Sequence, residues 1–179
     1  PCTEQHTLSP KTEYAAGKVF ENHLTNYFRS KLSFPITNTL IALIYGPGQS
    51  KKFLIPQLIH SCLNGEKIIL KHPSAHRDHI HIDDVVSGIS ALVDLPVPYP
   101  KAVNISTGIS PTNKEVAELI MKISSASNNT VHFNKDSRLE LKYDLFASPQ
   151  LMQKLYGWSA STPFQEGIKK LIFTSGIKK

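Results

Sequence analysis

The sequence predicts an α/β protein built on parallel strands. Two observations carry this class. Helical and strand patterns alternate along the 179 residues. The run Thr39 to Tyr45, TLIALIY, is apolar without any period-two alternation. That pattern suits a strand buried on both faces, as in a parallel sheet.

The elements follow in order. Residues 12–31 read as a helix, with Ala16, Phe20, Leu24, Tyr27 and Phe28 at helical spacing, Ser9 or Thr12 as the cap and Pro10 in the first turn. The apolar strand 39–45 comes next and stops at Gly46-Pro47-Gly48. Residues 53–64 form a short amphipathic helix with Gly65 beyond its end. Lys67 to Leu70 is a short strand, and His79 to Ile82 alternates with period two. Asp83 and Asp84 cap a helix carrying Val85, Val86, Ile89, Leu92 and Val93, which Pro96 and Pro98 end. Ala102 to Ile105 is a strand. Thr112-Asn113-Lys114-Glu115 is a capping box that opens a helix. Thr130 to Phe133 is a strand, and Ser148-Pro149 starts a helix that Gly157 stops. Thr162-Pro163-Phe164-Gln165 opens a final helix through Ile172.

Composition excludes several classes. No apolar run approaches the roughly 20 residues of a membrane helix. The polar start PCTEQHTLSP is not a signal peptide, and it lacks an initiating Met, so position 1 is expected to lie inside a longer gene product. Cys2 and Cys62 allow neither a disulfide scaffold nor a multi-cysteine zinc site. Reduced thiols and a cytoplasmic location are expected. The formal charge is +6, but the lysines are scattered and Arg29, Arg77 and Arg138 stand alone. That footprint fits an anionic small molecule better than a nucleic acid. His72, His76, His79 and His81 with Asp83 and Asp84 form no recognised zinc motif, so no metal is expected. Cys62 reads as a packed thiol, and Tyr156 and Trp158 as core aromatics.

The chemistry concentrates in Tyr14-Ala15-Ala16-Gly17-Lys18. Tyr and Lys at i and i+4 share one helix face. An ammonium beside a phenol favours the phenolate, which makes Tyr14 a candidate general acid/base. The same pair alone also fits a surface Tyr beside a surface Lys.

Four further stretches stand in a fixed order. They are Ile44-Tyr45-Gly46-Pro47-Gly48-Gln49, Arg77-Asp78-His79-Ile80-His81-Ile82-Asp83-Asp84-Val85, Val103 to Gly108, and Leu155-Tyr156-Gly157-Trp158 followed by Thr162 to Ile168. With the Tyr14 helix they resemble the extended short-chain dehydrogenase/reductases, the NAD-dependent sugar-nucleotide epimerases and dehydratases. The likeness runs through "VYGPGQ", "RDFIHVDDV", "YNVGTG" and a C-terminal "LGW" stretch, and covers nearly all of the chain.

The resemblance implies a function, and each role below comes from it. Tyr14 moves a proton while NAD or NADP takes or returns a hydride. Lys18 binds the nicotinamide ribose and holds down the Tyr14 pKa, so both residues meet the cofactor. Arg77 clamps the diphosphate of a nucleotide sugar, and Gln49 and Phe53 belong to the substrate side. Residues 1–48 and 75–106 become the C-terminal portion of a Rossmann domain. Residues 49–74 and 107–179 become a smaller substrate-binding domain. A homodimer through the Tyr14–Lys18 helix, with Val19, His23, Leu24 and Tyr27 on its face, is also implied.

The departures matter as much. The family's G-x-x-G-x-x-G cofactor loop is not among these residues. The chain therefore resembles the C-terminal part of a member, as a fragment or a truncated gene. NAD binding and activity are expected only with the N-terminal half. Leu40 and Leu43 stand where the family often has Arg and an Asn that meets the substrate phosphate, and Gly17 replaces Ser. The alternative function is a non-catalytic homologue that binds a nucleotide sugar or a partner subunit.

Overall fold

A computed structural model describes residues 1–33, 35–94, 99–127, 130–134 and 144–174. Capping signals set several element ends. Thr12 caps α1 (Glu13–Leu32), its hydroxyl accepting from the Ala15 amide at 3.1 Å. Gly65 ends α2 (Leu54–Asn64) in the left-handed region, at φ 68°, where a side chain would be strained. Thr112 and Glu115 form the expected reciprocal box at the start of α4 (Asn113–Ser124). Gly157 closes α5 (Gln150–Tyr156), and α6 runs Phe164–Thr174.

The apolar run at 39–45 divides into β1 (Asn38–Ile41) and β2 (Leu43–Tyr45). Ala42 marks a change of partner. Its amide reaches the Ile105 carbonyl at 3.0 Å, whereas the Leu43 amide reaches the Asp78 carbonyl at 3.0 Å. Accordingly β1 pairs in parallel with β5 (Ala102–Ile105), and β2 pairs in parallel with β4 (His79–His81). A third parallel pair joins β3 (Ile68–Leu70) to β6 (Val131–Phe133). The expectation of burial on both faces fails: Leu40, Ile41, Leu43 and Ile44 are all exposed. In a two-stranded ribbon each strand keeps an open edge, and Leu40, Ile41 and Leu43 border an open cavity rather than a packed layer.

Two cores result. One gathers Ile55, Leu58 and Ile59 of α2, Val116 and Ile120 of α4, and Ile168 of α6 around Tyr45. The other joins Ile80, Val103 and Ile105 of the strands to Met152 of α5 and to Val85 and Leu92 of α3 (Ile82–Asp94). Each large aliphatic side chain removed from water contributes roughly 1.5–3 kcal/mol. Gly167 lets α6 approach Tyr45 closely, since a Cβ there would lie 2.2 Å from the phenol oxygen. Trp158 packs against Gly88 and donates to the Ser87 hydroxyl at 3.0 Å.

Asp83 and Asp84 do not precede α3 as caps. The helix already begins at Ile82, so both lie in its first turn. Asp84 is buried and accepts from the amides of Ser161 and Thr162, fastening the chain that enters α6. Pro96 and Pro98, expected to stop α3, lie outside the described residues. No α1 residue is buried, so its apolar stripe faces outward. Arg29 still ties α1 to the sheet, donating to the carbonyls of Tyr99 and Pro100.

Candidate active site

Helical spacing places Tyr14 and Lys18 one turn apart near the start of α1. The Lys18 Nζ sits 5.8 Å from the centre of the Tyr14 ring. Both residues line an open cavity of about 610 Å³ that also meets Asn38, Leu43, Asp78 and Asn104. Tyr14 is 75% exposed. The Lys18 ammonium bonds Glu21 Oε2 at 2.8 Å. That bond, and then the Glu21 charge, raise Lys18 above the usual lysine range.

The floor of this cavity comes from the strand ends. Asn104 donates through Nδ2 to the Cys2 carbonyl at 3.0 Å, and its amide donates to Glu4 Oε1 at 2.9 Å. These bonds anchor the segment before α1 to β5. Asp78 is buried and accepts from Thr107 Oγ1 at 2.6 Å and the Gly108 amide at 3.0 Å. Burial pushes its carboxyl up, and these bonds oppose the shift.

Arg77 opens on a different cavity, of about 450 Å³. Successive residues of extended chain point to opposite sides, so Arg77 and Asp78 serve the two cavities separately. Leu43 lines both. Arg77 is 7% exposed and donates to the His76 carbonyl at 2.6 Å. Lys71, His72, His79 and Asn113 also line this second cavity. Gln49 lines a third, with its Nε2 donating to the Ile44 carbonyl at 2.9 Å, and Phe53 is exposed just before α2. The structure thus groups Tyr14 with Lys18, sets Arg77 across Leu43 from them, and places Gln49 apart.

Sequence reasoning assigned no role to Asp78, His72, His79 or Asn113. The available signal was at position 79, where the matching motif has Phe. His79 is 8% exposed and stacks on Phe164, with ring centres 5.9 Å apart at 28°. Burial, and then the Arg77 charge, lower its pKa from 6.5 to about 4. Among the described residues, His72 Nδ1, His79 Nε2 and Asn113 Oδ1 are buried without hydrogen-bond partners. Each such atom costs about 1–3 kcal/mol. Among the described residues, no group of three His, Cys, Asp or Glu is placed to hold a metal. No described helix is long and apolar enough to cross a membrane.

Comparison with known proteins supplies the relatives. The family described as GDP-mannose 4,6 dehydratase matches residues 1–171. The low-salt glycan biosynthesis protein Agl12 of Haloferax volcanii is 25% identical over 95% of this chain and 54% of its own length. A dTDP-D-glucose 4,6-dehydratase of Dictyostelium discoideum is 30% identical over 68% of this chain and 28% of its own. The crystal structure of dTDP-glucose 4,6-dehydratase from Bacillus anthracis in complex with NAD superposes with a TM-score of 0.85 at 22% identity. It is matched over 96% of this chain and 54% of that one. The chain spans about half the length of the first of these relatives and of this neighbour.

Proposed function

The chain belongs to the GDP-mannose 4,6-dehydratase family, and on that premise we propose that it carries the acid–base helix and the nucleotide-sugar pocket of an NAD-dependent sugar-nucleotide dehydratase or epimerase. The observation that carries this reading is one shared wall. Tyr14 and Lys18 line one cavity, Arg77 lines another, and Leu43 borders both. A nucleotide sugar anchored by its diphosphate at Arg77 then has its sugar directed toward Tyr14.

In this mechanism Tyr14 exchanges a proton with a sugar hydroxyl through its phenol oxygen. Lys18 holds the ribose of the cofactor and favours the phenolate, which requires its ammonium to turn from Glu21. Arg77 binds the diphosphate with a planar, permanently charged fork. The open cavity at Tyr14 and Lys18 fits the nicotinamide-ribose end of NAD or NADP, while the Gly-rich pyrophosphate cradle is not among these residues. Hydride exchange is the chemistry that NAD supplies when bound. The corresponding division of the chain is 1–48 with 75–106 on the cofactor side and 49–74 with 107–179 on the substrate side. Within the latter, α5 packs back on β5.

The test is turnover across pH in the gene product containing these residues. Tyr14→Phe should fold and lose about 10²–10⁴-fold in rate. Lys18→Ala should weaken cofactor binding and move the activity profile to higher pH. Arg77→Ala should mainly weaken nucleotide-sugar binding. Near-normal turnover of Tyr14→Phe would remove α1 from the chemistry, and no turnover by the unaltered gene product would leave a non-catalytic binding protein as the better account.

A further inference from the structure

Asn113 carries a carboxamide with one end committed and the other unmet. Its Nδ2 donates to the His72 carbonyl at 2.9 Å. Turning the amide over would set two acceptors face to face, so its orientation is fixed. The other end, Oδ1, is buried and has no hydrogen-bond partner among the described residues. Asn113 is 8% exposed and lines the second cavity together with Arg77. A buried amide oxygen is satisfied by a donor and by nothing else. The diphosphate of a nucleotide sugar is ionised near neutral pH and offers acceptors, so it cannot be the group that meets Oδ1. We propose that Asn113 reads the ribose of the nucleotide, its Oδ1 accepting a hydrogen bond from a ribose hydroxyl. The proposal rests on the nucleotide-sugar reading of the pocket and deepens it.

Placement selects the ribose from the parts of such a ligand. Backbone bonds hold Asn113 beside the residue assigned to the diphosphate. The Asn113 amide donates to the Ala75 carbonyl at 3.0 Å, and the Arg77 amide donates to the Pro111 carbonyl at 3.1 Å. Between them His76 and Thr112 form an antiparallel bridge. A nucleotide sugar carries one sugar on each side of its diphosphate. The reacting sugar is directed across Leu43 toward Tyr14, so the ribose stays on the Arg77 side, next to Asn113. The wall there is aliphatic, with Leu54, Ile68 and Leu70, and suits the apolar face of a nucleoside. His72 Nδ1 and His79 Nε2 are also unpartnered in this cavity among the described residues. An imidazole nitrogen donates or accepts according to its tautomer, so neither atom discriminates. Of the three, Oδ1 alone requires a donor. A nucleotide lacking the hydroxyl leaves that oxygen unmet and binds more weakly.

The test is isothermal calorimetry of the chain with UDP and GDP at pH 7, then with the 2′-deoxy and 3′-deoxy forms of whichever binds more tightly. One deoxy form should bind about threefold to tenfold more weakly than its parent. Asn113→Ala should weaken the parent by a similar factor and bind the parent and both deoxy forms alike, because the hydroxyl has lost its acceptor. A merely structural Asn113 would weaken all of them equally and keep the preference. If Asn113→Ala fails to fold, the side-chain amide resonance of Asn113 in ¹⁵N-labelled wild type carries the test. It should move more with the parent than with the weaker deoxy form. If both deoxy forms bind the wild type as the parent does, if the preference survives in Asn113→Ala, or if the resonance moves equally, while Arg77→Ala weakens binding, the Asn113 inference falls and the pocket reading stands. If the wild type binds neither UDP nor GDP, or Arg77→Ala changes nothing, both fall.

Discussion

A neutral, buried histidine makes the fold sensitive to acid in a defined window. The pKa of His79 is about 4 in the folded chain, against an ordinary 6.5. Between these values the unfolded chain takes up a proton that the folded chain refuses. Stability therefore falls as pH falls from about 6.5 to about 4. The full gap is worth about 3 kcal/mol, of which about 2–3 kcal/mol is lost by pH 4.5. Asp78 acts in the opposite sense, because burial raises its carboxyl and the folded state then binds its proton more readily. It is present in wild type and in His79→Phe alike, so its contribution cancels between them. The assay is urea unfolding followed by circular dichroism at pH 7 and pH 4.5, at fixed ionic strength. The wild type should lose about 2–3 kcal/mol more than His79→Phe across that interval. Equal losses in the two proteins would show that His79 titrates normally in the fold, and the account of its burial beside Arg77 would be wrong.

Three further outcomes are expected. Gly167→Ala places a Cβ 2.2 Å from the Tyr45 phenol oxygen, so α6 must shift; urea melts should show a loss of about 1–3 kcal/mol. The chain alone should bind NAD weakly or not at all by calorimetry, since no G-x-x-G-x-x-G loop lies within it, and micromolar affinity would refute this. The outward apolar stripe of α1, with Phe20, Leu24 and Tyr27 exposed, should drive self-association; sedimentation as a monomer at high concentration would oppose it.

What was legible in the sequence was mostly local. The box at Thr112 and Glu115 is made by residues three apart, and its bonds form as the spacing demands, with the Thr112 amide donating to Glu115 Oε2 at 2.7 Å. The turns at Gly65 and Gly157 follow from backbone sterics within a few residues. The change of partner at Ala42 was not legible, because it depends on Ile105 and Asp78, far along the chain. The role of Asp84 was missed for the same reason, since its acceptors' partners are Ser161 and Thr162. At the site, the Tyr14–Lys18 pair could be read from helical spacing. Asn113 was visible only as the first residue of a helix. Its amide reaches the Ala75 carbonyl at 3.0 Å and its Nδ2 the His72 carbonyl at 2.9 Å, and these long-range bonds carry it to the pocket.

Two departures from the family pattern gain meaning once they share a cavity. Leu43 stands where the family often has an Asn that meets substrate phosphate, and His79 stands where the matching motif has Phe. In the sequence they are 36 positions apart (79 less 43) and look unrelated. In the fold the register Leu43↔His79 makes them direct partners in the β2–β4 pair, and both line the cavity that holds Arg77. One strand has lost a polar side chain and its neighbour has gained one. At this pair the polar side chain stands on β4, in the cavity that Arg77 also lines. A carboxamide does not titrate near neutral pH but an imidazole does. The exchange therefore sets a group that can titrate where a carboxamide could not, and burial beside Arg77 lowers its pKa to about 4.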